Sequence, residues 1–290
     1  MKLSFIGLSV LLLAAPVAGQ TTQSADTAAS HTEPFFTSRD AYRAAGFVVG
    51  VAVASRFDRK LADWARSSGL QESTTFQDAA AFFNFMGQPA PQIIGIGLYG
   101  SGKLFHNDRM QKLGLHGFEA MIMSNIITTT IKGVAGRARP IKTVEESQGP
   151  TGEPGQHDPD NFKLFRGFSG GNGYQSFPSG HATTAFAAAS AVTAEITQWS
   201  KESHWSPTVP IVVGVTLYGG ATLVGWARMY SDKHWASDVI AGAAIGTFSG
   251  IKVVRYAYRH PNNLIDRTLL STTIVPSSDG GAVLAWEIKF

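Results

Sequence analysis

The chain has 290 residues, 44% hydrophobic and 16% charged, with 31 glycines, 13 prolines and no cysteine. That mixture excludes intrinsic disorder, which needs low hydrophobicity and high net charge. The missing cysteines exclude a disulfide scaffold, a thiolate metal site and a cysteine nucleophile, and a net charge of +3 from 24 basic and 21 acidic residues is too small to point to nucleic acid. The mean hydropathy of +0.01 lies between a soluble domain and a polytopic membrane protein.

Residues 1–19 read as a secretory signal peptide. Lys2 supplies the positive start, Leu3 to Ala15 the apolar stretch, and Val17-Ala18-Gly19 the small residues before a cut at Gln20. An uncleaved N-terminal anchor is the alternative. Either way the expected location is exported, periplasmic or associated with a cell-envelope membrane. Residues 20–40 are expected to form a flexible leader, polar and rich in Thr, Ser and Ala.

Residues 41–262 are expected to be the main domain, an all-α helical bundle. Six apolar stretches run through it: Ala45 to Ala54, Gln92 to Tyr99, Phe118 to Ile131, Ala182 to Ile196, Val209 to Trp226 and Val239 to Ile251. Their many Ala and Gly residues favour close helix-on-helix approach. Most fall short of the ~20 apolar residues of a spanning helix. Ser206 to Ala227 is the best span candidate, and the pattern suits a soluble or membrane-associated bundle better than six full spans. No repeat and no alternation of strands with helices appears, which argues against a parallel α/β sheet.

Glu145 to Gly173 is a long irregular region with Pro150, Pro154, Pro159 and seven glycines. A loop of that length is either disordered or functional, for instance an active-site cover. In residues 263–290, β-branched residues and the alternation of Leu284, Trp286, Ile288 and Phe290 flank Asp279-Gly280, which predicts a short C-terminal β-hairpin appendage.

Three motifs carry chemistry. In Lys132-Gly133-Val134-Ala135-Gly136-Arg137-Ala138-Arg139-Pro140, the first and last cations are seven apart, which on a continuous helix puts both on one face. By itself this is also what a solvated basic face looks like. Phe177-Pro178-Ser179-Gly180-His181 leads straight into an alanine-rich helix. Its start offers free N–H groups and the positive end of the helix dipole to an anion, with an imidazole alongside. A plain Ser-capped helix is the simpler reading. In the run from Arg228 to Asp238, His234 and Asp238 are four apart, on one face if helical, where the carboxylate can take a proton from one ring nitrogen and free the other as base or nucleophile. A metal site would need further ligands at matching spacing, and none accompanies the pair.

In order and spacing the three motifs resemble the type 2 phosphatidic acid phosphatase superfamily, which includes bacterial non-specific acid phosphatases and vanadium haloperoxidases. Lys132, Arg139 and Pro140 match its first element. Pro178, Ser179, Gly180 and His181 match the second, and Arg228, His234 and Asp238 the third. Ala227 stands where the family usually has serine. The resemblance implies a metal-independent phosphatase on an all-α bundle. Lys132, Arg139 and Arg228 would bind the phosphoryl oxygens, with Ser179 and the Gly180 N–H as further donors. His234, oriented by Asp238, would form a phosphohistidine, and His181 would protonate the leaving alcohol. The expected substrates are lipid phosphates, isoprenoid pyrophosphates or small soluble phosphomonoesters, with no cofactor and no nucleic acid.

Two other readings share these residues: a vanadate-dependent haloperoxidase, in which vanadate replaces phosphate at His234, and a non-catalytic exported anion-binding protein. Gly167-Phe168-Ser169-Gly170-Gly171 also matches the serine-hydrolase elbow, but that turn belongs between a strand and a helix of an α/β sheet.

Overall fold

The glycines of the last long helix decide how the bundle is put together. In the computed structural model, which describes residues 35–142, 158–276 and 282–286, that helix spans Ala236–Arg259 and lies against a helix spanning Gly180–Glu202. Gly242, Gly246 and Gly250 recur every fourth residue on one face. A Cβ at Gly242 would sit 2.5 Å from the Ser179 carbonyl oxygen, and one at Gly246 2.3 Å from that of Thr183. At Gly250 the would-be Cβ overlaps the Ser190 hydroxyl. The two backbones therefore touch, with residue numbers rising together along both. The helices run parallel, and their N-termini lie at the same end of the bundle.

The helices in chain order are α1 (Ser38–Ser55), α2 (Asp58–Ala65), α3 (Ser68–Gln71), α4 (Thr74–Gly87), α5 (Ala90–Leu104), α6 (Asp108–Ala135), α7 (Arg166–Ser169), α8 (Gly180–Glu202), α9 (Thr208–Tyr230), α10 (Ala236–Arg259) and α11 (Leu264–Leu270). Helix α8 is central. It packs on α10, α9 and α6 through clusters such as Ala120, Met121, Ala187, Ala191, Val253 and Val254. A second cluster, Ala185, Ala189, Ala221 and Val224, joins α8 to α9, with Phe83 and Met86 of α4 against it. Alanine dominates because helices approaching this closely have room for little else.

The all-α expectation holds. Helices α9 and α10 are each long and apolar enough to cross a membrane, by length and composition. Large apolar side chains face outward on α9, such as Ile211 and Val215, and also on α5 and α6, such as Ile93, Ile96 and Ile126.

Several boundaries differ from the sequence reading. The last residues of the expected leader already belong to α1, because Asp40 accepts from the Thr37 backbone N–H at 2.9 Å and is ion-paired to Lys252 of α10. The segment from residue 263 opens as a helix, not a hairpin, since Asn263 caps α11 by accepting from the Asp266 N–H at 3.0 Å. Strands β1 (Thr272–Pro276) and β2 (Ala282–Trp286) follow, antiparallel, with Ile274 opposite Leu284. The expected signal peptide, the expected leader up to residue 34, residues 143–157 of the long loop and the expected Asp279-Gly280 turn lie outside the described residues. From residue 158 onward that loop is ordered by α7 and a 3₁₀ turn at Asn172–Tyr174. The Gly167 to Gly171 motif falls on α7 and the two residues after it, and no strand precedes it among the described residues, unlike the strand-to-helix turn of a nucleophile elbow.

Candidate active site

Ser179 is the N-cap of α8 and is completely buried. Its N–H donates to the Asp238 carbonyl at 2.9 Å, which ties the start of α8 to the start of α10. The next residue, Gly180, begins the helix with N–H groups that have no intrahelical partner. Lys132, in the last turn of α6, reaches across this start: its Cε would lie 3.8 Å from a Cβ on Gly180.

Lys132 and Arg139 do not share a helix face, because α6 stops between them. Gly136 takes a left-handed conformation (φ +53°) and returns its N–H to the Lys132 carbonyl at 3.1 Å. The chain then leaves the helix through Arg137-Ala138-Arg139, held by Ala138 N–H to the Asn161 carbonyl and Arg139 N–H to the Gly173 carbonyl, both 2.9 Å. Arg139 Nε donates to the Asn172 carbonyl at 2.8 Å, and Lys132 Nζ to the Gln175 carbonyl at 2.6 Å. The third cation, Arg228, ends α9. Its guanidinium donates to Asn84 Oδ1 at 2.7 Å, while its buried Nε has no hydrogen-bond partner among the described residues. These cations feel one another. Burial, then the charges of Arg139 and Arg228, lower Lys132 to about 7, against an opposing pull from Asp238.

His234 and Asp238 also do not share a helix face. His234 lies in the turn before α10, Trp235 is the N-cap, and Asp238 sits in the first turn, accepting from the Trp235 N–H at 2.8 Å. The ring nitrogen Nδ1 of His234 is 2.7 Å from the Ser176 carbonyl and 3.7 Å from the Asp238 carboxylate. A carbonyl can only accept, so this bond assigns the proton to Nδ1 and leaves the lone pair on Nε2. Burial, helped by Lys132 and Arg139 and opposed by Asp238, holds the imidazole well below its ordinary pKa and therefore neutral. His181, second residue of α8, packs against Gly87 of α4, where a Cβ would meet its own Cβ at 3.0 Å. Burial and then Arg228, Lys132 and Arg139 lower His181 to about 3.

All eight residues singled out in the sequence therefore gather at one end of the bundle, on the N-termini of α8 and α10 and the C-termini of α6 and α9. Sequence reasoning missed five others. Asn84 holds Arg228; Ser176 holds His234; and Asp58, Arg137 and Ser237 form a buried network behind Asp238. Arg137 lay inside the first motif with no sign of its role, and the Asp58 side chain is 79 residues from it in the chain.

Residues 114–261, about half of the chain, match the PAP2 superfamily. A lipid A 1-phosphatase of Rhizobium etli is 30% identical over 146 residues, 50% of this chain and 51% of that protein. One from Porphyromonas gingivalis is 39% identical over 80 residues, 28% of this chain and 16% of that one. The matches thus span about half of one relative's length and about a sixth of the other's. Among solved structures, a transmembrane PAP2 type phosphatidylglycerolphosphate phosphatase from Bacillus subtilis has a TM-score of 0.52 at 18% identity, covering 79% of this chain and 99% of that one. This last likeness speaks to the fold.

Proposed function

The chain belongs to the PAP2 superfamily, and on that premise we propose that it is a phosphatase hydrolysing the phosphomonoester of a lipid phosphate through a phosphohistidine, exported and associated with a membrane of the cell envelope. One observation carries the reading: three buried or half-buried cations converge beside a neutral histidine whose protonated nitrogen is already engaged. A phosphoryl group supplies the charge these cations lack and an acceptor for the unpartnered Arg228 Nε.

The chemistry follows from that geometry. The Nε2 lone pair of His234 attacks phosphorus, and the ester P–O bond breaks with its electron pair on the leaving oxygen. As charge spreads over the phosphoryl oxygens, Lys132, Arg139, Arg228 and the start of α8 stabilise it. His181 gives its proton to the leaving alcohol. Burial and then the three cations keep this imidazole neutral in the free protein; a bound phosphate dianion offsets the cations and pairs with the ring, so the substrate itself makes His181 a competent acid. Water then attacks the phosphohistidine and passes a proton back to His181, releasing phosphate and restoring Nε2. Lipid substrates and membrane association rest on the lipid phosphatases among the relatives and on the apolar, largely outward-facing helix α9; export rests on residues 1–19.

The test is phosphate release from a lipid phosphate and from a small soluble ester, with acid-stable and acid-labile phosphoenzyme separated after quenching. His234→Ala should abolish turnover and the acid-labile phosphoenzyme, whereas His106→Ala and His260→Ala leave both unchanged. Full activity in the His234 variant, or halide oxidation with vanadate and peroxide in place of phosphate release, would overturn the reading.

A further inference from the structure

Asp238 is wholly enclosed, and its carboxylate serves more groups than His234. Arg137 Nη1 donates to its Oδ1 at 2.5 Å, and Ser176 Oγ donates to its Oδ2 at 2.5 Å. Arg137 also donates to Asp58 Oδ2 at 2.7 Å and to Ser237 Oγ at 2.8 Å. Asp58 comes from α2, far from the motifs. It accepts the Ser237 N–H at 2.8 Å and the Ser237 hydroxyl at 2.5 Å, and so caps α10 from outside that helix. Asp58, Arg137 and Asp238 are each at most 2% exposed.

Ser176 links this network to the imidazole. Its carbonyl takes the His234 Nδ1 proton, its hydroxyl is on Asp238, and its N–H donates to the Arg137 carbonyl at 3.0 Å. Two carboxylates and one guanidinium leave a single net negative charge behind the ring. On the other side stand Lys132 of α6, Arg139 from the segment after it, Arg228 of α9 and His181 of α8.

We propose that Asp58 and Arg137 are positioning residues for His234: they set the charge behind the imidazole at minus one and fix the Ser176 carbonyl that holds its Nδ1 proton. This rests on the phosphatase reading above. A ring phosphorylated on Nε2 while keeping its Nδ1 proton is cationic, and one net negative charge at its back stabilises it. With Arg137 alone behind Asp238 the pair would be neutral; with Asp58 added, the negative charge returns without leaving Arg137 unpaired in the interior.

The experiment compares Asp58→Asn, Arg137→Gln and the double variant in the full chain, with folding checked by circular dichroism and thermal unfolding. The cluster charge becomes zero in the first, minus two in the second and minus one again in the double. Asp58→Asn should lower kcat by about 10- to 100-fold, as loss of such supporting partners does at other sites, with KM nearly unchanged because the phosphate-binding cations are intact. The acid limb of kcat/KM should move to lower pH in Asp58→Asn, to higher pH in Arg137→Gln, and back to the wild-type position in the double variant. A purely structural role predicts no opposed shifts and no recovery in the double. If Arg137→Gln does not fold, the Asp58→Asn and double variants carry the comparison. Unmoved limbs, or a double variant displaced further than Asp58→Asn, overturn the inference. Absence of phosphate release from the wild-type protein would instead overturn the phosphatase reading.

Discussion

Gly136 is the point at which the first motif stops being a helix, and Gly136→Ala tests whether that break builds the site. The residue sits at φ +53°, where an L side chain costs about 1–2 kcal/mol. A Cβ there would also lie 2.1 Å from the Lys163 carbonyl oxygen and 2.9 Å from the Arg166 Cβ. One obstacle is backbone and cannot rotate aside, so the crowding adds about 1–3 kcal/mol. The sum is a destabilisation of about 2–5 kcal/mol, a fall in Tm of order 10 °C for a domain of this size. Any relief must move Arg137-Ala138-Arg139, and a displacement near 1 Å at a reacting site costs about 100-fold in rate. Thermal unfolding and phosphate release read the two effects together. Gly97→Ala is the matched control: it lies inside α5 with nothing within 4 Å of the new Cβ, and the change stabilises by up to about 1 kcal/mol. If Gly136→Ala behaved like Gly97→Ala in both assays, the motif would tolerate a continuous helix and the break would not build the site.

Other outcomes follow from the same geometry. Asn84→Ala removes the acceptor that aims Arg228; a hydrogen bond to a charged group contributes about 1.5–3 kcal/mol, so inorganic phosphate should inhibit roughly 10- to 100-fold less tightly. An unchanged inhibition constant would show that Arg228 needs no such support. At the opposite end of the bundle His116 lies buried between Glu195 and Asp266. Burial alone would lower it, but the two carboxylates outweigh burial and raise it to about 9, against an ordinary 6.5. A raised pKa of this kind stabilises the fold fully below about pH 6.5, by roughly 3 kcal/mol, and the contribution is lost as pH rises through about 9. Denaturant unfolding should show His116→Gln less stable than the wild type at pH 6, with the difference between the two shrinking as pH rises through about 9. A stability difference between the two proteins that stays constant from pH 6 to pH 10 would refute the assignment.

The residues of the sequence determined a good deal unaided. Six apolar stretches rich in alanine and glycine dictate a bundle, since such surfaces are buried by close packing on one another. Pro178-Ser179-Gly180-His181 marks a helix start through local cap chemistry, and that reading needs no distant contact. Spacing alone misled where it assumed that a helix continues. Lys132 and Arg139 are seven apart but separated by the left-handed Gly136, and His234 is four from Asp238 but lies ahead of the helix that carries it. Helical periodicity cannot say where a helix ends when the ending is enforced by a neighbour such as Lys163, 27 residues further on. The tertiary structure also decided what stands behind the motifs. The Gly242, Gly246 and Gly250 face brings two helix N-termini together, and only that meeting gives Asp58, Arg137 and Ser176 a shared site with Asp238. Charge balance in a buried network depends on which side chains meet in space, and residues drawn from four separate segments leave no periodic trace along the chain.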